Sequence, residues 1–353
     1  MVTKPLTSRI DWVDYAKGIC IVLVVMMHST LGVEKAAGSV SWLHGFIDWA
    51  RPFRMPDFFM ISGLFLASSI DKPWRKYLDS KVLHFLYFYV LWLFLQTIFK
   101  ACLVCGLDGA IEASKVFLTG FVEPFGTLWF IYLLPIFFVT IKLLRNVPPL
   151  LMFLAGALLL SVRVDTGWLL IDEFASRFVY FYVGFWLAKY IFAFAAEVNA
   201  KPVAVILAGL VIWGFGNYQM VQSGFSLLPG FSLVLGLIGA CAVVSTGVLL
   251  SKFKMAHALR YCGQNSIVIY LSFFLFMATS RTIFLKLVPH FDLGWMSLIV
   301  TTSGVIGPIV LFWLTRKTKL DFLFKRPEWA KLAKTLERWH SPSYVKQLNI
   351  KAR

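Results

Sequence analysis

Ten apolar stretches, each bounded by charges or prolines, run through the 353 residues, and their lengths suit helices crossing a hydrocarbon core of about 30 Å. They predict helices over 12–31, 46–70, 82–104, 127–145, 148–162, 174–196, 202–217, 227–250, 265–286 and 294–315. The fifth and seventh are short, at about 15 residues of the ~20 that a span needs. The stretch 107–126 reads as a mixed loop with room for a short interfacial helix. Beyond 315 the pattern changes. Trp329, Leu332, Leu336 and Trp339 recur at i, i+3, i+7 and i+10, one stripe of an amphipathic helix. The expected fold is therefore all-α, a polytopic membrane bundle of about ten transmembrane helices over 1–315, followed by a basic amphipathic tail over 316–353. No fixed-period repeat, low-complexity tract or separate soluble domain interrupts the pattern.

Composition supports this reading: 59% of residues are hydrophobic, 15% are charged, and mean hydropathy is +0.76. A soluble chain of this length is less apolar and more charged, which points to an integral membrane protein. Lys4 and Arg9 precede the first run as in a secretory signal, but no small-residue cleavage site follows, so a retained first span is expected. With the N-terminus inside, 25 of the 34 Lys and Arg residues fall on the cytoplasmic side, which places both termini in the cytoplasm. Eleven of those cations lie in the tail from Arg316, against Asp321, Glu328 and Glu337, so its Trp-bearing apolar face suits anionic membrane lipids. That explanation of the basic excess leaves no call for nucleic acid. Cys20, Cys102, Cys105, Cys241 and Cys262 are scattered through apolar runs and read as small core residues; the lone C-x-x-C at 102–105 lacks the context of a redox or zinc site.

Ionisable residues inside apolar runs are the candidates for chemistry, because burying them in a bilayer is costly. Lys17 and His28 are eleven residues apart in the first run. At ~100° and ~1.5 Å per residue they share one helix face and sit roughly 16 Å apart along the axis. Either they serve an enzyme working across the membrane, or Lys17 anchors the helix at the interface and His28 hydrogen-bonds a neighbour. After the second predicted helix come Lys72, Arg75, Lys76 and Lys81, then His84 within the next apolar run. Lys17, Arg75, Lys81 and His84 together suit a cationic mouth for an anionic cofactor such as a phosphorylated nucleotide; contact with lipid headgroups is the alternative. On the outward side, Arg51, Arg54 and Asp57 lie among Pro52 and Pro56, which suggests a kinked or re-entrant helix lining a cavity. These residues, with Glu123 and Arg177, are candidates for binding an acceptor, or else they pair with neighbouring charges. Ser62-Gly63 suits close helix approach. His44, His257, His290 and His340 fall in predicted loops or the tail and read as surface residues. No serine nucleophile elbow, H-E-x-x-H zinc site or P-loop is present, and no metal is expected.

Four segments carry a resemblance. Residues 14–29 read D-Y-A-K-G-I then V-V-M-M-H-S, 56–65 read P-D-F-F-M-I-S-G-L-F, 127–130 read T-L-W-F, and 261–271 read Y-C-G-Q-N-S-I-V-I-Y-L. In this order they resemble acyltransferase family 3, multi-span bacterial enzymes that acylate polysaccharides, lipid-linked sugars and related acceptors, over roughly 10–315. The resemblance implies a multi-pass protein of the bacterial inner membrane. Its donor would be cytoplasmic acyl-CoA (acetyl-CoA or succinyl-CoA), and its acceptor a hydroxyl of a polysaccharide or lipid-linked sugar on the outer side. The family's first signature is an Arg, ten residues, then His; here Lys17 takes the Arg position and His28 matches. A second basic pair, often R-x-x-R, is here Lys81-Val82-Leu83-His84, and Phe273 stands where a late motif commonly has His. Lys keeps the charge of Arg but loses its bidentate fork, so these departures mark a divergent subfamily. By the resemblance, His28 is the general base, with a direct transfer and an acyl-His intermediate both open. A transporter or exporter of polysaccharide without chemistry of its own is the competing reading. It predicts paired broken helices in corresponding halves, and no internal repeat is found.

Overall fold

The computed structural model describes residues 9–103, 107–124 and 126–332. Among them the chain is helical, without strands: α1 (Asp11–Ala37), α2 (His44–Leu64), α3 (Trp74–Leu78), α4 (His84–Leu103), α5 (Leu107–Thr119), α6 (Trp129–Leu143), α7 (Pro149–Val162), α8 (Leu169–Trp186), α9 (Ala188–Ala200), α10 (Val203–Gln222), α11 (Phe231–Phe253), α12 (His257–Gln264), α13 (Ser266–Leu287) and α14 (Leu293–Thr315). Each of the ten predicted stretches is helical. The differences are local. The stretch 174–196 is two helices, α8 and α9, bent by 73° at a break. The stretch 46–70 ends its helix at Leu64 and continues in turns, and 107–126 contains the helix α5. Short α3 and α12 were not anticipated. Between α3 and α4 the backbone makes a π turn at Asp79–Leu83.

Among the described residues, seven helical stretches, one of them running from α3 through the π turn into α4, are long and apolar enough to cross a membrane, or eight if α8 and α9 make one span. Of the ten expected spans, α7 and α2 fall outside this criterion for physical reasons. α7 has 14 residues, about 21 Å at ~1.5 Å each, and α2 carries Asp48, Arg51, Arg54 and Asp57 within its 21 residues.

The chain forms two compact units. The first comprises 1–67, 147–167 and 171–310. In it α1 packs against α2, α11, α12 and α13, and glycines set the closest approaches. Gly63 of α2 lies on the Phe181 carbonyl of α8, and Gly184 of α8 lies on the Met60 carbonyl of α2, so no side chain separates these backbones. Gly18 meets the Leu259 carbonyl and Gly263 meets the Asp14 carbonyl, which seats α12 against α1 in the same way. Polar bonds complete that seam: Tyr15 donates to the Met255 carbonyl (2.5 Å), Gln264 donates to Asp14 (3.1 Å), and Arg260 pairs with Asp11 (3.1 Å). The apolar centre includes Met60, Ala195, Ala240, Val244 and Val248, with Trp12, Ile191 and Val198 packed on it.

The second unit comprises 68–146, 168–170 and 311–353. Lys142 of α6 is 4% exposed and ties down the turn before α3. Its ammonium donates to the Ile70 carbonyl and to the Lys72 carbonyl (2.7 Å), and lies 5.4 Å and 4.8 Å from the Trp74 and Tyr77 ring centres. The chain after α14 folds onto α4: Tyr87 and Trp92 donate to the carbonyls of Phe322 and Leu323, each at 3.0 Å. Arg326, 6% exposed, binds the carbonyl (2.6 Å) and the carboxylate of Asp79. Of the predicted tail stripe, Trp329 lies in a 3-10 turn at Glu328–Ala330, whereas Leu336 and Trp339 lie outside the described residues, as do Cys105 and both chain ends.

Candidate active site

α1 is a nearly unbroken run of β-branched and long apolar residues from Ile19 to Met27, so its polar residues stand out by position. His28 is half-buried, and its ring lies 5.5 Å from that of Phe273 on α13, tilted by 37°. Ser29 and Thr30 follow it with no exposure and unpartnered hydroxyls. Lys17, three turns earlier and half-buried, places its ammonium 5.4 Å over the Phe65 ring, with Asp14 supplying opposing charge.

α2 supplies the second wall. Pro52 and Pro56 lack N–H groups, so the carbonyls four residues earlier lose their helix partners, yet the helix runs through both. The entrance expected here as kinked or re-entrant is one helix, His44–Leu64, with both prolines inside it. It brings Arg54 and Asp57 inside. Arg54 is 6% exposed; its Nη2 donates to Met27 Sδ (2.9 Å), its Nη1 reaches the Ile47 carbonyl at 3.4 Å, and its Nε is unpartnered. It is the charged group whose field reaches the His28 ring. Asp57 has no exposure: Oδ2 accepts the Cys20 thiol at 2.8 Å, and Oδ1 has no partner. Arg51 and Arg177 also act on Arg54, but each has a carboxylate of its own, Asp48 at 3.5 Å and Glu173 at 2.9 Å.

His44 is not the free surface residue expected from sequence. Glu34, 7% exposed at the end of α1, accepts the Ser41 N–H (2.9 Å) and hydroxyl (2.8 Å) on one oxygen, and its other oxygen lies 2.8 Å from His44 Nδ1. The far nitrogen of His44 is 3.7 Å from Asp48. This chain fixes the α1–α2 connection next to Arg51.

The predicted residues thus divide. Lys17, His28, Arg51, Arg54, Asp57 and Arg177 belong to the first unit; Arg75, Lys81, His84 and Glu123 belong to the second. Arg75 and Glu123 are exposed. Lys81 stands in the π turn with its ammonium 5.1 Å over the Phe138 ring, and the His84 ring meets Phe85 and Phe88 edge-on. A titratable ring within the field of a buried cation, in mostly apolar surroundings, can take a proton from a hydroxyl while a negative charge develops nearby.

A family model described as acyltransferase domain matches residues 10–317. The chain belongs to acyltransferase family 3. It is a multi-pass membrane protein and an acyl-transferring enzyme. Among curated proteins, Inner membrane protein YcfT of Escherichia coli K12 is 25% identical over 289 residues, covering 73% of this chain and 77% of its own. Nodulation protein NolL of Mesorhizobium japonicum is 22% identical over 280 residues, covering 73% and 74%. No solved structure matches. In this acyltransferase the sequence left three neighbours of the candidate residues unnamed for that role: Cys20 on Asp57, Phe273 on His28, and Arg281, whose guanidinium lies over Gly32 one turn beyond His28. Phe273 was visible only as a departure from the family's late motif. Arg281 carried a weaker signal, a charge inside an apolar run.

Proposed function

We propose that this acyltransferase moves an acetyl or succinyl group from cytoplasmic acyl-CoA to a hydroxyl of a surface polysaccharide or lipid-linked glycan, in the bacterial inner membrane with both termini cytoplasmic. The carrying observation is His28, set in the first motif of the family, with the Phe273 ring 5.5 Å from its own and the Arg54 charge acting on it. His28 is the general base: its ring takes the acceptor's proton as the hydroxyl oxygen attacks the thioester carbonyl carbon, and returns it to the departing thiolate. Phe273 orients the ring and keeps water from one side of it. Within the first unit Lys17 contacts the phosphates of the donor, and Arg51, Arg54, Asp57 and Arg177 form the acceptor side; Arg75, Lys81, His84 and Glu123 belong to the second unit. The inner-membrane relative supports the location.

The test compares the acyl content of surface glycans by mass spectrometry in cells with the wild-type chain, without it, and with His28→Gln. Gln keeps a hydrogen-bonding group without a titratable nitrogen. Loss of a general base costs ~10²–10⁴-fold in rate, so His28→Gln should resemble the deletion while melting normally. Wild-type acylation in His28→Gln ends this assignment, and equal acyl content with and without the chain ends the glycan reading.

A further inference from the structure

We propose that the Arg54 guanidinium is the group that receives the oxyanion of the acyl-transfer step, so that a base on α1 works with a fixed cation on α2. This rests on the reading of His28 given above. The observation is a buried cation with poor partners. Arg54 has five N–H donors, yet its bonds are one to a thioether sulfur, a weak acceptor, and one at 3.4 Å to a carbonyl. Nε is buried and unpartnered.

Among the described residues no carboxylate forms an ion pair with it. Asp48 acts on Arg54 from a distance but pairs with Arg51 and lies near His44, Glu173 pairs with Arg177, and Asp57, whose Oδ2 accepts the Cys20 thiol, makes no ion pair with Arg54. A buried charge left this way is costly. The fold nevertheless secures it to Met27, the residue before His28. The cation is therefore held against α1 one residue from the base, its charge acting on the His28 ring, and it has no ion-pair partner among the described residues.

Acyl transfer supplies that charge and then removes it. The acceptor oxygen bonds to the thioester carbonyl carbon while His28 takes the hydroxyl proton. The C=O π pair moves to oxygen, which becomes an oxyanion facing Arg54. Collapse restores the carbonyl, breaks the C–S bond, and the thiolate takes the proton from His28. Hydroxyl and thioester become ester and thiol, with nothing else consumed. A preorganised donor is most effective for charge that exists only in the transition state. The Phe273 ring, 5.5 Å from that of His28, adds apolar surroundings, in which an electrostatic interaction is stronger than in water.

The experiment uses the full chain in lipid nanodiscs, acetyl-CoA or succinyl-CoA as donor, and surface glycan from cells lacking the protein as acceptor. Arg54→Gln should lower kcat ~10²–10³-fold, as loss of an oxyanion donor does, with both KM values within about threefold and melting no lower than wild type. Arg54→Lys should recover part of kcat because the charge remains without the fork. A raised KM for the glycan with kcat intact overturns the proposal in favour of an anionic acceptor group bound at Arg54. A fall in melting large enough to account for the lost activity overturns it in favour of a structural cation. Wild-type kcat in Arg54→Gln beside an inactive His28→Gln overturns this proposal alone. An active His28→Gln, or a wild-type chain that turns over neither donor, overturns the earlier reading and this one with it.

Discussion

Arg54 and Lys142 are both buried cations on helices, 6% and 4% exposed, and their surroundings are opposite. Lys142 ends among two carbonyls and two aromatic faces, which account for its charge and hold the turn before α3. Arg54 ends on a sulfur and a distant carbonyl, with one nitrogen unpartnered. The same cost of desolvation is met fully in one region and left open in the other. A satisfied buried charge reads as structure; an unsatisfied one beside a titratable ring reads as a site waiting for its ligand.

Four measurements sharpen or break this contrast. Lys142→Met should be the most damaging to stability, because it leaves the Ile70 and Lys72 carbonyls without their donor. The loss is on the order of 2–3 kcal/mol, seen as a melting temperature several degrees lower. An unchanged melting temperature would show that the ammonium is not holding that turn. Arg54→Met should act in the other direction, with melting level or raised by about 1 kcal/mol, since an uncompensated buried charge is removed. A clear destabilisation would place Arg54 with Lys142 and dissolve the comparison.

Glu34→Gln tests a satisfied cluster of moderate burial. Its amide offers one acceptor oxygen for three donors, and a loss of roughly 1 kcal/mol is expected, read by chemical unfolding. The smallest effect concerns Asp292, fully exposed ahead of α14. Its carboxylate accepts the Trp295 N–H (2.9 Å) and the Trp42 indole N–H (3.0 Å), which hold its pKa below the ordinary carboxylate value. A depressed pKa means the contribution is present above the unfolded value and is lost as pH falls through the folded one. Acid titration followed by Trp42 fluorescence should show that release, and Asp292→Asn should flatten it.

The fold was largely legible because bilayer-length apolar runs announce themselves. Hydropathy records that 174–196 is apolar but not its direction, so the 73° bend after Trp186 left no trace in composition. α12, His257–Gln264, is eight largely polar residues and falls below the length at which a periodic pattern can be recognised. At the site, His28 was visible because an ionisable residue in an apolar run is expensive. The Cys20–Asp57 bond joins residues 37 apart, and a cysteine between Ile19 and Ile21 gives no sign of it. His44 looked like a loop residue because its partner Glu34 lies ten positions back, across a turn that the pattern does not define. Arg54 was visible as a charge, but its want of a partner is a property of three dimensions.

The glycine contacts of α2 with α8 have a mechanical consequence. Where Gly63 and Gly184 press backbone on backbone, neither helix can slip along the other without driving a carbonyl into main chain, so this seam behaves as a clamped joint. The α1–α13 contact at His28 and Phe273 is of another kind, two rings that can swing about their own torsions. Any breathing that lets a bulky molecule reach the imidazole is therefore borne by side-chain swing and the α13 flank, while α2 stays put as the anvil against which the other parts move.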